Sequence, residues 1–184
     1  MMTKSNQTRP RKTQPAIHTA NPSPIPQAPS KQKLIPAAAI FLILLHAILG
    51  FGALGGGVML IFDPTGEAMG IPLSMLERTF FPSFLIPGIL LLVIFGLLPL
   101  LVAYAIWRRP NWKIAEAFNL YRNDLHPPWA LSLYIGFGQI IWITVQTYMM
   151  NTVHIVHLGY TALSLIILIV TLLPSVRTYL LKKE

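Results

Sequence analysis

Among the residues of this chain that could donate to a metal, His154 and His157 stand three apart. That spacing puts two side chains on one helix face. Two imidazoles and a carboxylate form a ligand set for zinc or iron, and Asp63 and Glu67 are the acids that a fold could bring to them. Paired histidines are common in polar turns, so no metal is expected, and these four residues mark where one would be sought. No cysteine is present, which excludes disulfides, thiol nucleophiles and thiolate ligands. Ser83 and Ser164 have no general base beside them in sequence, and phosphate-binding loops and paired intramembrane acids are missing. No catalytic residue is therefore assigned, and no cofactor is expected.

A second polar constellation is Gln139, Gln146, Thr147 and Asn151, with Thr144 and Thr152 nearby. Gln139 and Gln146 are seven apart and share a helical face. A polar stripe cannot face lipid cheaply, so it should point inward. Interhelical hydrogen bonding is the first reading of these residues, and a polar path or pocket is the second. His46 stands alone within an apolar run. It reads as a hydrogen-bonding residue facing other helices, with haem or quinone contact as the alternative. Haem is disfavoured because a second intramembrane histidine for bis-histidine ligation is missing. Gly52 and Gly56 have the small-xxx-small spacing that lets helices approach closely in lipid, so helix packing is expected there, ahead of a glycine-broken helix lining a cavity.

The elements that must position these residues are apolar helices. Of 184 residues, 54% are apolar and 11% charged, and the mean hydropathy is +0.59. Soluble domains carry about 25% charged residues, so the chain belongs to the membrane class. Leu34–Phe62 is free of Asp, Glu, Lys and Arg, and Asp63-Pro64-Thr65-Gly66 stops it with turn chemistry. A second run lies between Arg78 and Arg108, with Pro99 deep inside it and expected to kink it. From Asp124 to Arg177 no ionised side chain intervenes, and the polar patch from Asn151 to His154, with Gly159, divides that stretch. The expected fold is an all-α membrane protein, an up-down bundle of four transmembrane helices at 34–62, 84–107, 129–150 and 160–181. Residues 1–33, basic and rich in proline, are expected to form a disordered cytoplasmic tail, and not a cleavable signal peptide.

The net charge is +8. Its distribution argues against nucleic acid, because the basic residues flank apolar runs and form no phosphate-tracking face. Of 14 basic residues, 13 fall in the tail, the 108–128 loop and the C-terminal end, leaving Arg78 alone on the other side. The positive-inside rule then places both termini in the cytoplasm. The bilayer is the expected partner, with anionic headgroups at the basic loops, and a homo-oligomer is open. The segment Asn111–Tyr121 reads as a short interfacial helix. The loop from Asp63 to Ser83 holds Leu73, Met75, Leu76, Phe80 and Phe81. It should fold back as a lid over the helix ends, bringing Asp63 or Glu67 toward the two histidines.

Gly55-Gly56-Gly57, Asp63-Pro64-Thr65-Gly66, Gly70-Ile71-Pro72 and Phe84-Leu85-Ile86-Pro87-Gly88, with Gly136 and Ile140 to Gln146, carry a resemblance. Over about residues 50–170 the chain resembles a family of small uncharacterised bacterial four-helix integral membrane proteins. The resemblance implies a multi-pass protein of the bacterial inner membrane and no activity. The leading expectation for function is a non-enzymatic structural, accessory or small-ligand-binding role. The alternative is a small oligomeric transporter subunit with a polar path along helix three, and a membrane enzyme comes third.

Overall fold

A computed structural model of the chain describes residues 34–182; the tail expected at 1–33 lies outside the described residues. Four helices are long and apolar enough to cross a membrane: α1 (Ala37–Phe62), α2 (Leu85–Arg108), α4 (Pro127–Met150) and α5 (Ile155–Leu172). Two short helices sit at the Arg108 end, α3 (Lys113–Ala117) and α6 (Pro174–Tyr179). Among the described residues no strand forms, and one antiparallel bridge joins Leu125 to Leu181.

Prolines set most of the helix starts. Pro36 precedes α1, and Pro127 and Pro128 occupy the first turn of α4, where a missing donor costs nothing. Pro99 leads to a different outcome from a simple kink. The turns preceding it, Leu91–Leu97, are wound as π-helix. Widened turns absorb the lost donor and the ring's clash with the preceding turn while α2 continues to Arg108.

The fourth span differs from the sequence expectation of 160–181. It begins at Ile155, because His154 and His157 form a reciprocal cap: the His154 backbone N–H donates to His157 Nδ1 at 3.1 Å. It ends at Leu172 because Pro174 forces Leu173 out of the helical region, to ψ 136°. The break frees the Thr171 carbonyl, which accepts the Trp129 indole N–H at 3.0 Å. The remaining residues form α6, clamped to the 119–126 loop. There His126 N–H donates to the Leu180 carbonyl at 2.9 Å and Lys182 pairs with Glu116 at 2.9 Å.

α1 is the central element. Its buried stripe of Ala39, Leu42, Leu45, His46 and Leu49 packs with Val102 and Ile106 of α2, Trp129 and Ile135 of α4, and Ile167 of α5. The backbones of α1 and α2 approach closely at glycines. A Cβ added at Gly50 would lie 3.0 Å from the Gly96 carbonyl, and one at Gly57 2.9 Å from the Gly88 carbonyl. As numbers rise on α1 they fall on α2, so these two helices run in opposite directions.

The tight backbone seam between α1 and α2 therefore falls at Gly50 and Gly57, while Gly52 and Gly56, expected at a helix contact, meet side chains of α5 and α2. Around Gly56 the nearest atom to an added Cβ is a Leu91 methyl at 3.3 Å, and at Gly52 it is the Tyr160 hydroxyl. The xxx spacing of Gly52 and Gly56 was the visible signal. Which glycine pair faces α2 depends on the rotation of α1, and that is fixed by the Leu42–Leu49 stripe.

The loop between α1 and α2 is ordered. Gly66 N–H donates to the Asp63 carbonyl at 3.1 Å, closing the turn, and Phe84 N–H donates to the Pro64 carbonyl at 2.9 Å, tying the loop's ends together. Gly66 has φ 81°, and a Cβ there would strike the Ile71 carbonyl and the Phe84 ring. Leu76 and Phe84 are buried against Leu60, with Ile71, Met75 and Phe81 packed around them. Of the apolar residues expected to form a lid, Met75, Leu76 and Phe81 thus fold onto the helix ends, whereas Leu73 and Phe80 stay exposed, Phe80 at 99%.

Candidate functional site

The described residues enclose two adjoining cavities at the Asp63 end. The first, about 350 Å³, lies between α1, α4 and α5. Its polar wall consists of Gln139 and Gln146 from α4, and His157 and Tyr160 from α5. Gly52 and Gly56 of α1 supply the space opposite. They are close to α5 and α2 only through side-chain ends, so they leave room where bulkier residues would fill the gap.

The second cavity, about 300 Å³, lies under the loop between α2 and α4 and is almost wholly apolar. Leu76, Phe81 and Phe84 come from the loop side, and Val145 and Met149 from α4. The two cavities share Leu60, Ile71, Leu91, Trp142 and Gln146 as wall residues. Trp142 is held against Phe95 of the π-helical segment, ring centroids 5.7 Å apart. Among the described residues no Asp, Glu, Lys or Arg lines either cavity.

Gln139 is the most informative wall residue. It is 2% exposed, and its carboxamide oxygen has no hydrogen-bond partner among the described residues. A buried amide group left unpaired costs about 1–3 kcal/mol. His157 is also buried. Its Nδ1 accepts the His154 N–H, so in the neutral ring Nε2 is the protonated nitrogen and a donor. The Tyr160 hydroxyl adds a group that both donates and accepts. The set offers hydrogen bonding and an apolar enclosure.

The rest of the expected polar stripe does not join this wall. Thr147 bonds back to the carbonyls of Ile143 at 2.9 Å and Thr144 at 3.0 Å, and Thr144 bonds back to Ile140 at 2.8 Å. Asn151 is exposed and ends α4 in a left-handed conformation, φ 49°. Only Gln139 and Gln146 of the predicted path line the chamber. A hydroxyl can satisfy itself on its own helix, which a sequence pattern does not reveal.

Nor does the structure bring together His154, His157, Asp63 and Glu67, the residues where a metal would be sought. Among the described residues no group of three or more His, Asp or Glu side chains is placed to hold a metal ion. His154 and His157 are engaged in capping α5, their rings 5.7 Å apart. Asp63 is engaged in its own turn: one carboxylate oxygen accepts the Ala68 N–H at 2.7 Å and the other accepts the Thr65 N–H at 3.2 Å. These donors, Ala68 first, hold the Asp63 carboxyl below its ordinary pKa. Glu67 is exposed in the same loop.

His46 lines neither cavity; it is fully buried, with Nε2 2.9 Å from Ser132 Oγ. Leu42, Leu45 and Trp129 belong to the same packed cluster, so this level of the molecule is filled with side chains. Sequence reading missed Tyr160, Trp142 and the apolar cavity. Their residue types were visible, but only the packing of α4 against α5 and the loop brings them together. No protein-family model matches the chain, and neither a curated protein nor a solved structure matches it.

Proposed function

We propose that this protein is a non-enzymatic, multi-pass membrane protein that binds a small uncharged amphiphile in the chamber at the Asp63 end. The observation that carries the reading is Gln139, buried with an unpaired carboxamide oxygen in the wall of a cavity without an ionised carboxylate, ammonium or guanidinium. A ligand hydroxyl or amide N–H would pair that oxygen, and the adjoining apolar cavity would take the ligand's hydrocarbon part. A charged ligand would lose its hydration there without a counter-ion. Cavities of this size, mostly apolar with a few convergent polar groups, suit small ligands. The alternative of a transporter subunit needs a path past His46 and Ser132, and the close packing at that level supports binding over conduction.

The charge segregation supports cytoplasmic termini, with the chamber on the outer side of a bacterial inner membrane. The glycine and turn motifs support membership of the family of small four-helix membrane proteins that the sequence resembles. Reporter fusions after residues 33, 70, 115, 156 and 184 are expected to read in, out, in, out, in, and an outside C-terminus would refute the orientation.

The binding reading is tested on the full-length protein in detergent. Monoacylglycerol and a long-chain alcohol serve as neutral probes, with a fatty acid and an alkylamine as charged ones. Neutral probes are expected to raise the melting temperature, and Gln139→Leu to abolish the shift without lowering the ligand-free melting temperature. Equal shifts from charged and neutral probes, or a shift unchanged in Gln139→Leu, would overturn it.

A further inference from the structure

A third cavity lies at the opposite end, independent of the chamber. It is a groove of about 620 Å³ between the last turns of α2 and the short α3. Leu98, Leu101 and Val102 of α2 and Leu131 of α4 form its apolar wall, and Ile114 of α3 and Phe118, just after α3, also line it. Asn111, Trp112 and Lys113 complete it beyond the end of α2.

The groove's length fits one lipid leaflet. From Leu98 to Arg108 α2 advances ten residues, or about 15 Å at the helical rise. That is half of a hydrocarbon core about 30 Å thick. Ile114 of α3 is 80% exposed, and Phe118, the residue that ends it, is 65% exposed. On a protein that crosses a membrane, such a helix rests in the interface with its apolar residues in the acyl region. Trp112 is anchored there by stacking on Tyr104, centroids 6.3 Å apart.

The charge at the mouth selects the headgroup. Lys113 lines the groove and makes no salt bridge among the described residues. The acid closest to it in sequence, Glu116, is taken by Lys182 at 2.9 Å. Arg108 is exposed at the end of α2, its guanidinium 5.6 Å from the Trp107 ring. Arg109 is turned away over Tyr179, at 4.6 Å. The rim is therefore cationic, and its wall is hydrocarbon.

We propose that this groove binds an anionic phospholipid of the adjacent leaflet, one acyl chain along Leu98, Leu101 and Leu131 and the phosphate-bearing headgroup beside Lys113. The lipid fills space between α2 and α3 that protein leaves open, and it holds α3 against the bilayer surface.

The test is native mass spectrometry of the full-length protein given equal amounts of phosphatidylglycerol and phosphatidylcholine. The protein is expected to retain phosphatidylglycerol several-fold over phosphatidylcholine. Lys113→Gln should reduce that preference about fivefold, the effect of one basic residue near an anionic surface. Arg177→Gln, at the same end but outside the groove, should leave it unchanged. Leu101→Trp, at a half-exposed position, should fill the groove and lower retention of both lipids while the melting temperature is unaltered. Equal retention of the two lipids by the unmodified protein would overturn the proposal. So would an Arg177→Gln effect as large as that of Lys113→Gln, because the attraction would then be diffuse. Retention unchanged in Leu101→Trp would remove the acyl chain from the groove.

Discussion

Gly57→Ala isolates what the α1–α2 seam is worth. A Cβ at Gly57 would stand 2.8 Å from both the Leu92 nitrogen and Leu92 Cβ, and 2.9 Å from the Gly88 carbonyl oxygen. Favourable carbon contacts lie at about 3.5–4.0 Å, so the overlap is roughly 0.7 Å or more. Two of the three atoms are backbone, held by the α2 hydrogen-bond ladder, and cannot swing aside as a side-chain end can. The helices must separate, and overpacking of this kind costs about 1–3 kcal/mol. Alanine also gains about 1 kcal/mol over glycine in helix propensity, which would mask part of the loss. Gly55→Ala supplies the control on the same helix, since nothing lies within 4 Å of a Cβ there. Propensity cancels between the two variants and leaves the steric term. At about 2–4 °C per kcal/mol for a chain of this size, Gly57→Ala is expected to melt about 2–12 °C below Gly55→Ala in one detergent. Equal melting temperatures, or a higher one for Gly57→Ala, would refute the seam.

Ser132→Ala leaves buried His46 Nε2 without its partner and should lower stability by about 1–3 kcal/mol; adding His46→Leu should recover part of that loss, and a purely additive double mutant would show that the two do not interact. His126 is held below its ordinary pKa by burial first, then by Lys182 and Arg109, with Glu116 opposing. Its folded state resists protonation, so its stabilisation is full above the unfolded value of about 6.5 and declines as pH falls through the lowered folded value. His126→Asn should flatten the melting-temperature profile on the acid side of 6.5, and an unchanged slope would contradict this. Asp63→Ala removes the acceptor of the Ala68 and Thr65 N–H groups and should speed tryptic cleavage at Arg78 several-fold; an unchanged rate would mean that the turn does not hold the loop.

Several features of this protein are local in origin and could be read from the residues. Four long apolar runs and the scarcity of charge within them decide that the chain is helical and suited to a bilayer, because only a helix satisfies its backbone within one segment. Asp63 to Gly66 specify their turn by side-chain and φ preferences that need no distant partner. The end of α5 was also local. Pro174 decides it, and the long run of apolar residues obscured that signal.

The site is different in kind. Gln139 is a buried, unpaired amide while Thr147 is satisfied on its own helix, and nothing in their spacing separates the two. The choice of Gly50 and Gly57 for the seam, with Gly52 and Gly56 left to line a cavity, follows from how far α1 is rotated about its axis. That rotation is set by packing against three other helices at once. Sequence periodicity defines a face to within a helical stripe, whereas a cavity or a steric seam depends on differences of an ångström between neighbours, which only the assembled tertiary contacts supply.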